Sequence, residues 1–122
     1  MRLLLIEDDK TTINILRKKI EALGINFDYA ETGSDSINYY RSKRYEIIVI
    51  DLNFPGKDVF EILLEINLTS PDTNIIVYSS NLDSKISAPL SAYDIHDIFL
   101  KEAGHEKLIN SIKAIQLNIL TK

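Results

Sequence analysis

Four β-branched residues in a row, Ile47, Ile48, Val49 and Ile50, constrain this chain more than any other stretch. A strand with one wet face alternates apolar and polar residues. This run does not, so it suits a strand covered on both sides, as in a parallel sheet held between two layers of helices. A carboxylate, Asp51, follows directly, and Asn53, Pro55 and Gly56 then turn the chain away. In open α/β sheets, ligands bind beyond the carboxyl ends of the strands. A lone acid after a strand commonly does no more than start a turn, so the weight of Asp51 depends on what the other strand ends carry.

The rest of the chain repeats the same plan. Residues 2–6 read as a short buried strand closed by Glu7, Asp8 and Asp9. Ile13, Leu16, Ile20 and Leu23 recur at helical spacing, and Gly24 supplies a stop. Residues 27–30 form a second strand, and a turn at Thr32, Gly33 and Ser34 leads into a helix with Ile37 and Tyr40 inward. Asp58 is placed to cap a helix carrying Phe60, Ile62, Leu63 and Ile66, which Ser70, Pro71 and Asp72 break. Residues 74–78 form the fourth strand, ending in Ser79, Ser80 and Asn81. Pro89, at ease only in a first turn, predicts a short helix beginning near it after a mobile approach. Residues 98–100 give a fifth strand followed by Lys101, and residues 105–121 a last helix with Leu108, Ile109, Ile112, Ile115, Ile119 and Leu120 inward.

Five strands alternating with five helices predict an α/β fold with a doubly wound parallel sheet, in the flavodoxin-like order 2-1-3-4-5. That order makes the first and third strands neighbours at the switch point, where Glu7, Asp8 and Asp51 meet. The 122 residues suffice for one compact domain, 1–122, with a real core. The longest apolar runs, residues 3–6 and 47–50, fall far short of the roughly 20 residues that cross a bilayer. The absence of cysteine excludes disulfide and thiol chemistry and, with no signal-like N-terminus, suits a cytoplasmic protein. A net charge of -4 argues against direct nucleic-acid binding.

Three carboxylates at one edge repel. Two unit charges roughly 4 Å apart cost about 4 kcal/mol at an effective dielectric of about 20. Either one acid stays protonated or a cation sits among them, and an all-oxygen site suits Mg²⁺ or Mn²⁺. Because Mg²⁺ keeps several waters, Asp8, Asp51 and one backbone carbonyl, that of Asn53, suffice as ligands. Asp8 and Asp9 also suit the roles of helix cap or first-turn acid, and Asp9 suits them better. Lys101 ends the fifth strand on the same edge, where a lysine pairs with a carboxylate or holds a phosphoryl oxygen. Ser79 can donate a hydroxyl hydrogen bond to the same oxygen. Each residue has a bland reading alone; together, at the ends of strands one, three, four and five, they form a set.

The stretches LLLIEDD, IIVIDLNFPG, NIIVYSS and IFLK, in this order and spacing, resemble those of the receiver domains of bacterial two-component response regulators, over essentially the whole chain. The resemblance implies that Asp51 is the phosphoacceptor, Asp8 a direct Mg²⁺ ligand and Glu7 a ligand acting through water. It implies that Asn53 offers its backbone carbonyl to the metal, Ser79 the switch hydroxyl, and Lys101 a bridge to the phosphoryl group. The implied function is Mg²⁺-dependent transfer from the phosphohistidine of a sensor histidine kinase, or from a phosphotransfer protein, to Asp51. The domain then acts as a signalling phosphoacceptor that catalyses only its own phosphorylation and dephosphorylation. The face around residues 81–102 switches toward a downstream protein target, with no role for nucleic acid or membrane. Asn53 and Asn81 flank the line of water attack and are expected to set the lifetime of the phosphorylated form.

The chain departs from the family pattern at four places. Ile98 stands where an aromatic residue is usual, with Phe99 on the opposite strand face. Glu102 replaces a proline, Val59 a glycine, and His96 with Asp97 a small pair. These departures give an alternative: a pseudo-receiver that binds a partner without being phosphorylated. A haloacid dehalogenase-like phosphatase would place its nucleophile after the first strand, and a flavodoxin would not put acids where a phosphate must sit. His96 and His105 are isolated and read as surface residues, and Tyr39, Tyr40 and Tyr45 as packing residues. Ile86, Leu90 and Tyr93 have helical spacing that fits either the core or a docking and homodimer face within residues 86–102.

Overall fold

The computed structural model of the chain describes residues 1–53 and 59–121. Strands β1 (Arg2–Ile6), β2 (Asn26–Ala30), β3 (Ile47–Ile50), β4 (Asn74–Ser79) and β5 (Asp97–Leu100) form one parallel sheet in the order β2-β1-β3-β4-β5. The unalternating runs are buried as predicted: Leu3, Leu4, Leu5, Ile6 and every residue of β3 are at most 1% exposed. Successive side chains point to opposite faces, so each run feeds two cores. Leu4, Ile6, Ile48, Ile50 and Val77 pack on one side with Ile62, Leu63 and Ile66. Leu3, Leu5, Ile47, Val49 and Ile76 pack on the other with Ile13, Leu16, Leu108 and Ile112.

The second of these cores is covered by α1 (Lys10–Glu21) and α5 (Glu106–Leu120), the first by α2 (Gly33–Ser42) and α3 (Val59–Thr69). Gly24 stops the α1 unit with φ +78°, a left-handed conformation that favours glycine. Thr32 caps α2, its hydroxyl accepting from Asp35 N at 3.1 Å. On α5 the prediction needs one correction. Leu108, Ile112 and Ile115 are buried, but Leu120 is 75% exposed. At 3.6 residues per turn it lies about a third of a turn round from the stripe through Leu108. The positions foreseen for Pro55, Gly56 and the Asp58 cap lie outside the described residues.

The fourth crossover differs most from expectation. Among the described residues, four full-length helices are joined by α4 (Ser84–Ser87), a single turn that passes into a 3-10 segment, Ala88–Ala92. The helix expected to begin near Pro89 thus starts earlier and tightens at the proline, which has no N–H to continue an α ladder. Two side-chain contacts fix this short crossover to α3. Phe60 and Tyr93 stack with ring centroids 5.9 Å apart. Asn67 brackets Asp94, donating to its carbonyl at 3.2 Å and accepting from its N–H at 2.9 Å. Leu90 is 3% exposed and Tyr93 packs against the α3-side core, so both take the core role; the side chain of Ile86 is not described.

Phe99 packs into the α1/α5-side core while Ile98 is 42% exposed, the opposed faces expected for neighbours on a strand. Asp97, unexpected at this position, accepts from Ser111 Oγ at 2.9 Å and ties β5 to α5. Tyr40 and Tyr45 are buried, as packing residues should be, and His96 is exposed. Among the described residues, no helix is long and apolar enough to cross a membrane.

Leu63→Ala, which hollows the core under α3, is expected to destabilise the chain by about 2–5 kcal/mol. Leu68→Ala on the same helix, at a side chain 73% exposed, is expected to change stability by less than about 0.5 kcal/mol. Urea unfolding of the two variants checks this assignment of inner and outer faces.

Candidate functional site

Strand register brings the acids together. Ile6 pairs with Ile50, so the next residues, Glu7 and Asp51, leave the sheet side by side, and Asp51 N donates to Ile6 O at 3.2 Å. On the other flank Ile50 pairs with Val77 and Ser79 with Leu100, which brings Ser79 and Lys101 to the same edge. Glu7 is 1%, Asp51 6% and Ser79 0% exposed. Buried ionisable groups of this kind are stable only when paired and hydrogen-bonded.

Lys101 does the pairing. Its ammonium lies 3.0 Å from Asp51 Oδ2 and also donates to Glu7 Oε1. The remaining oxygens are satisfied by their surroundings. Glu7 Oε2 accepts from Asp8 N at 3.0 Å and Asp9 N at 3.3 Å. Asp51 Oδ1 accepts from Asn53 N at 2.9 Å and from Ser79 Oγ at 3.0 Å.

Burial, aided by the neighbouring Asp51 charge, pushes the Glu7 carboxyl above its ordinary value despite Lys101. Burial likewise opposes the charge on Lys101, but Glu7 and Asp51 outweigh it and hold the ammonium above the ordinary lysine value. Burial also raises the Tyr78 phenol, which faces the charges of Lys101 and Glu7.

The sequence-predicted residues divide into two groups. Glu7, Asp51, Ser79 and Lys101 form one connected hydrogen-bonded set, joined by Asn53 through its backbone N–H. Asp8 is exposed at the rim. Asp9 takes the N-cap position of α1, and its carboxylate, accepting from Thr12 Oγ1 at 2.6 Å, is held below the ordinary aspartate range. Asn81 Oδ1 accepts from Asp83 N at 3.1 Å, within its own turn.

The sequence did not disclose the other half of Asn53, whose amide donates to Ser79 Oγ at 3.1 Å and to Ser80 Oγ at 3.4 Å. Nothing in composition or periodicity signals that contact, which depends on how the turn after β3 folds back.

Among the described residues, no three carboxylate, histidine or cysteine side chains are gathered as a ready-made metal cage. The chemistry of the donors nonetheless fits a hard divalent cation. Glu7, Asp8 and Asp51 against Lys101 leave two formal negative charges, and among the described residues Glu7, Asp8, Asp51 and Asn53 offer oxygen at this edge.

The response regulator receiver domain model matches residues 3–113. The chain belongs to that family. The cell cycle transcriptional regulator CtrA of Caulobacter vibrioides is 26% identical over 117 residues, covering 94% of this chain and 50% of that protein. The receiver domain thus spans about half the length of the curated relatives it matches. Among solved structures it is similar to the receiver domain of an HD domain-containing protein from Pseudomonas fluorescens, with a TM-score of 0.88 and 16% identity over 99% of this chain and 98% of that one. It is also similar to the response regulator TrrA from Thermotoga maritima in complex with Mg²⁺ and BeF, with a TM-score of 0.80 and 22% identity over 93% and 97% of the two chains. At these identities the likeness is one of fold, and it agrees with the observed strand order.

Lys101→Met leaves two buried carboxylates without their cation, so the receiver domain is expected to lose about 3 kcal/mol at neutral pH. Folding already raises the Glu7 pKa, and the variant raises it further. The resulting cost is absent below the ordinary glutamate value of 4.5 and grows as pH rises through the raised one. The deficit of Lys101→Met against the native chain should therefore shrink as pH falls from 7 toward about 4.5, which denaturant unfolding across that range measures.

Proposed function

We propose that this receiver domain, residues 1–122, is a Mg²⁺-dependent signalling phosphoacceptor in which Asp51 receives a phosphoryl group from the phosphohistidine of a sensor histidine kinase or a phosphotransfer protein. The observation that carries the reading is the buried Asp51 carboxylate at the switch point, with Lys101 on one oxygen and Ser79 and Asn53 N on the other. A structural aspartate needs no such array. A nucleophile that must acquire further negative charge does.

In the transfer, the P–N bond of the donor breaks and a P–O bond to Asp51 forms. Little covalent work falls to the protein, so positioning and charge neutralisation supply the catalysis. Lys101 remains on the acceptor side as a point charge, and the Ser79 hydroxyl donates to a phosphoryl oxygen. Asp8, Asp51 and the Asn53 carbonyl would hold the metal ion, with Glu7 acting through water. Bound there, Mg²⁺ supplies Lewis-acid neutralisation of the transferring group; Mn²⁺ suits the same oxygens.

Phosphorylation adds about -1.5 to -2 charges beside existing acids. Ser79 and Lys101 carry the change outward to residues 81–102, which would serve as the docking face for a downstream protein, with residues 86–102 the place where two copies pair. Ile98 and Leu100, 42% and 40% exposed, supply its apolar contact. Water attack on the acyl phosphate resets the switch, at a rate set by Asn53 and Asn81. The domain performs no other chemistry, contacts neither nucleic acid nor membrane, and acts in the cytoplasm.

Intact mass after incubation with Mg²⁺ and acetyl phosphate tests the reading. One phosphoryl adduct is expected, lost when the metal is chelated and lost in Asp51→Asn. An unmodified native chain under saturating donor would overturn it in favour of a pseudo-receiver that binds its partner without phosphorylation.

A further inference from the structure

Serine lacks the second β substituent that stiffens threonine, so all three staggered positions of the Ser79 hydroxyl are open unless a partner selects one. A hydroxyl has one proton to give, and its surroundings decide where that proton goes. Two acceptors lie within reach: Asp51 Oδ1 at 3.0 Å and Asn81 O at 3.4 Å. Two donors converge on the same oxygen: Asn53 Nδ2 at 3.1 Å and, at the edge of hydrogen-bond range, Asn81 N at 3.5 Å. The closest of each kind are Asp51 and Asn53, so the proton of Ser79 and one of its lone pairs are committed on the β3 side.

Among the described residues, the part of β5 beside Ser79 offers no competing polar group, and the Lys101 ammonium that follows it is engaged by Glu7 and Asp51. Ser79 shares the sheet face of Ile75 and Val77, and its register partner is Leu100, with Ile98 beside Val77. Both β5 residues are aliphatic and about 40% exposed, so neither can engage a hydroxyl.

We propose that Asn53 is a positioning residue for Ser79. Its carboxamide occupies an acceptor lone pair of Ser79 Oγ and thereby aims the hydroxyl proton at Asp51 before any phosphoryl group arrives. The hydroxyl is preset. Arrival of a phosphoryl group on Asp51 transfers the Ser79 donation from a carboxylate oxygen to a phosphoryl oxygen without a swing of the side chain. Since a switch responds only by the population left to shift, residues 81–100 then move less on loading in the native chain than in a chain lacking the Asn53 amide. This second consequence rests on Asp51 being the phosphoacceptor; the first does not.

The orientation of Ser79 is read from its three-bond Hα–Hβ and N–Hβ couplings by NMR, in protein exposed to no phosphodonor. The native chain is expected to show one rotamer, and Asn53→Ala and Asn53→Asp, both without a donor at that position, to show averaged couplings. Averaged couplings in the native chain, or a single rotamer surviving in both variants, would overturn the proposal. Asn53 is exposed, so both substitutions leave the core intact.

In a second arm, Mg²⁺ and beryllium fluoride are added as a phosphoryl mimic. Amide shift changes across residues 81–100 are expected to be about twofold or more larger in Asn53→Ala than in the native chain. Equal changes would overturn the presetting. A chain that does not respond at all would count against Asp51 as phosphoacceptor, and the couplings alone would then decide the role of Asn53.

Discussion

Glu7 and Asp51 can be buried side by side only because the Lys101 ammonium reaches both. A carboxylate taken out of water without a partner costs several kcal/mol, and two adjacent ones cost more. The requirement spans the chain. The acids come from its first half and the lysine from residue 101, so the pairing exists only when β1, β3, β4 and β5 hold their order. With Asp8 at the rim, the acids at this edge outnumber the lysine that pairs them.

The two halves of the domain are held differently. Around β1 and β3 the packing is uninterrupted, with Leu3 to Ile6 and Ile47 to Ile50 sealed on both faces. Around β5 one face packs against α5, but the helical cover on the other is a single turn and a 3-10 segment, and that face is left with Ile98 and Leu100 half in solvent. Specific contacts replace bulk burial there: the Phe60 and Tyr93 stack, the Asn67 bracket on Asp94, and the Asp97 bond to Ser111. Elements held by a few directional contacts open and shift at lower free energy than those in a sealed core. Of the four departures from the family pattern noted in the sequence, all but Val59 (Ile98, Glu102 and the pair His96 and Asp97) fall in this half.

Much of this was legible in the residues themselves. The sheet and the meeting of Glu7, Asp51, Ser79 and Lys101 followed from unalternating apolar runs ending in polar residues, and the order from the right-handed crossover rule, because a strand buried on both faces leaves an unmistakable pattern and strand ends share an edge. The helical stripes of α1, α3 and α5 were equally plain, apart from Leu120, which a count of apolar residues included and the helical angle excludes. The short α4 was not legible, since Pro89 marks where an α ladder must change but not how far upstream the turn begins.

Sequence by itself determined which groups arrive at the carboxyl edge of the sheet, since one-dimensional pattern dictates strand, helix and order. Only the tertiary structure decided how those groups divide the work among them. Glu7 turned out to be a buried partner of Lys101 and of two backbone N–H groups, and the amide of Asn53 a donor to Ser79. The physical reason is that a hydrogen bond is settled by distances of a few tenths of an ångström between residues tens of positions apart, and no local pattern encodes those.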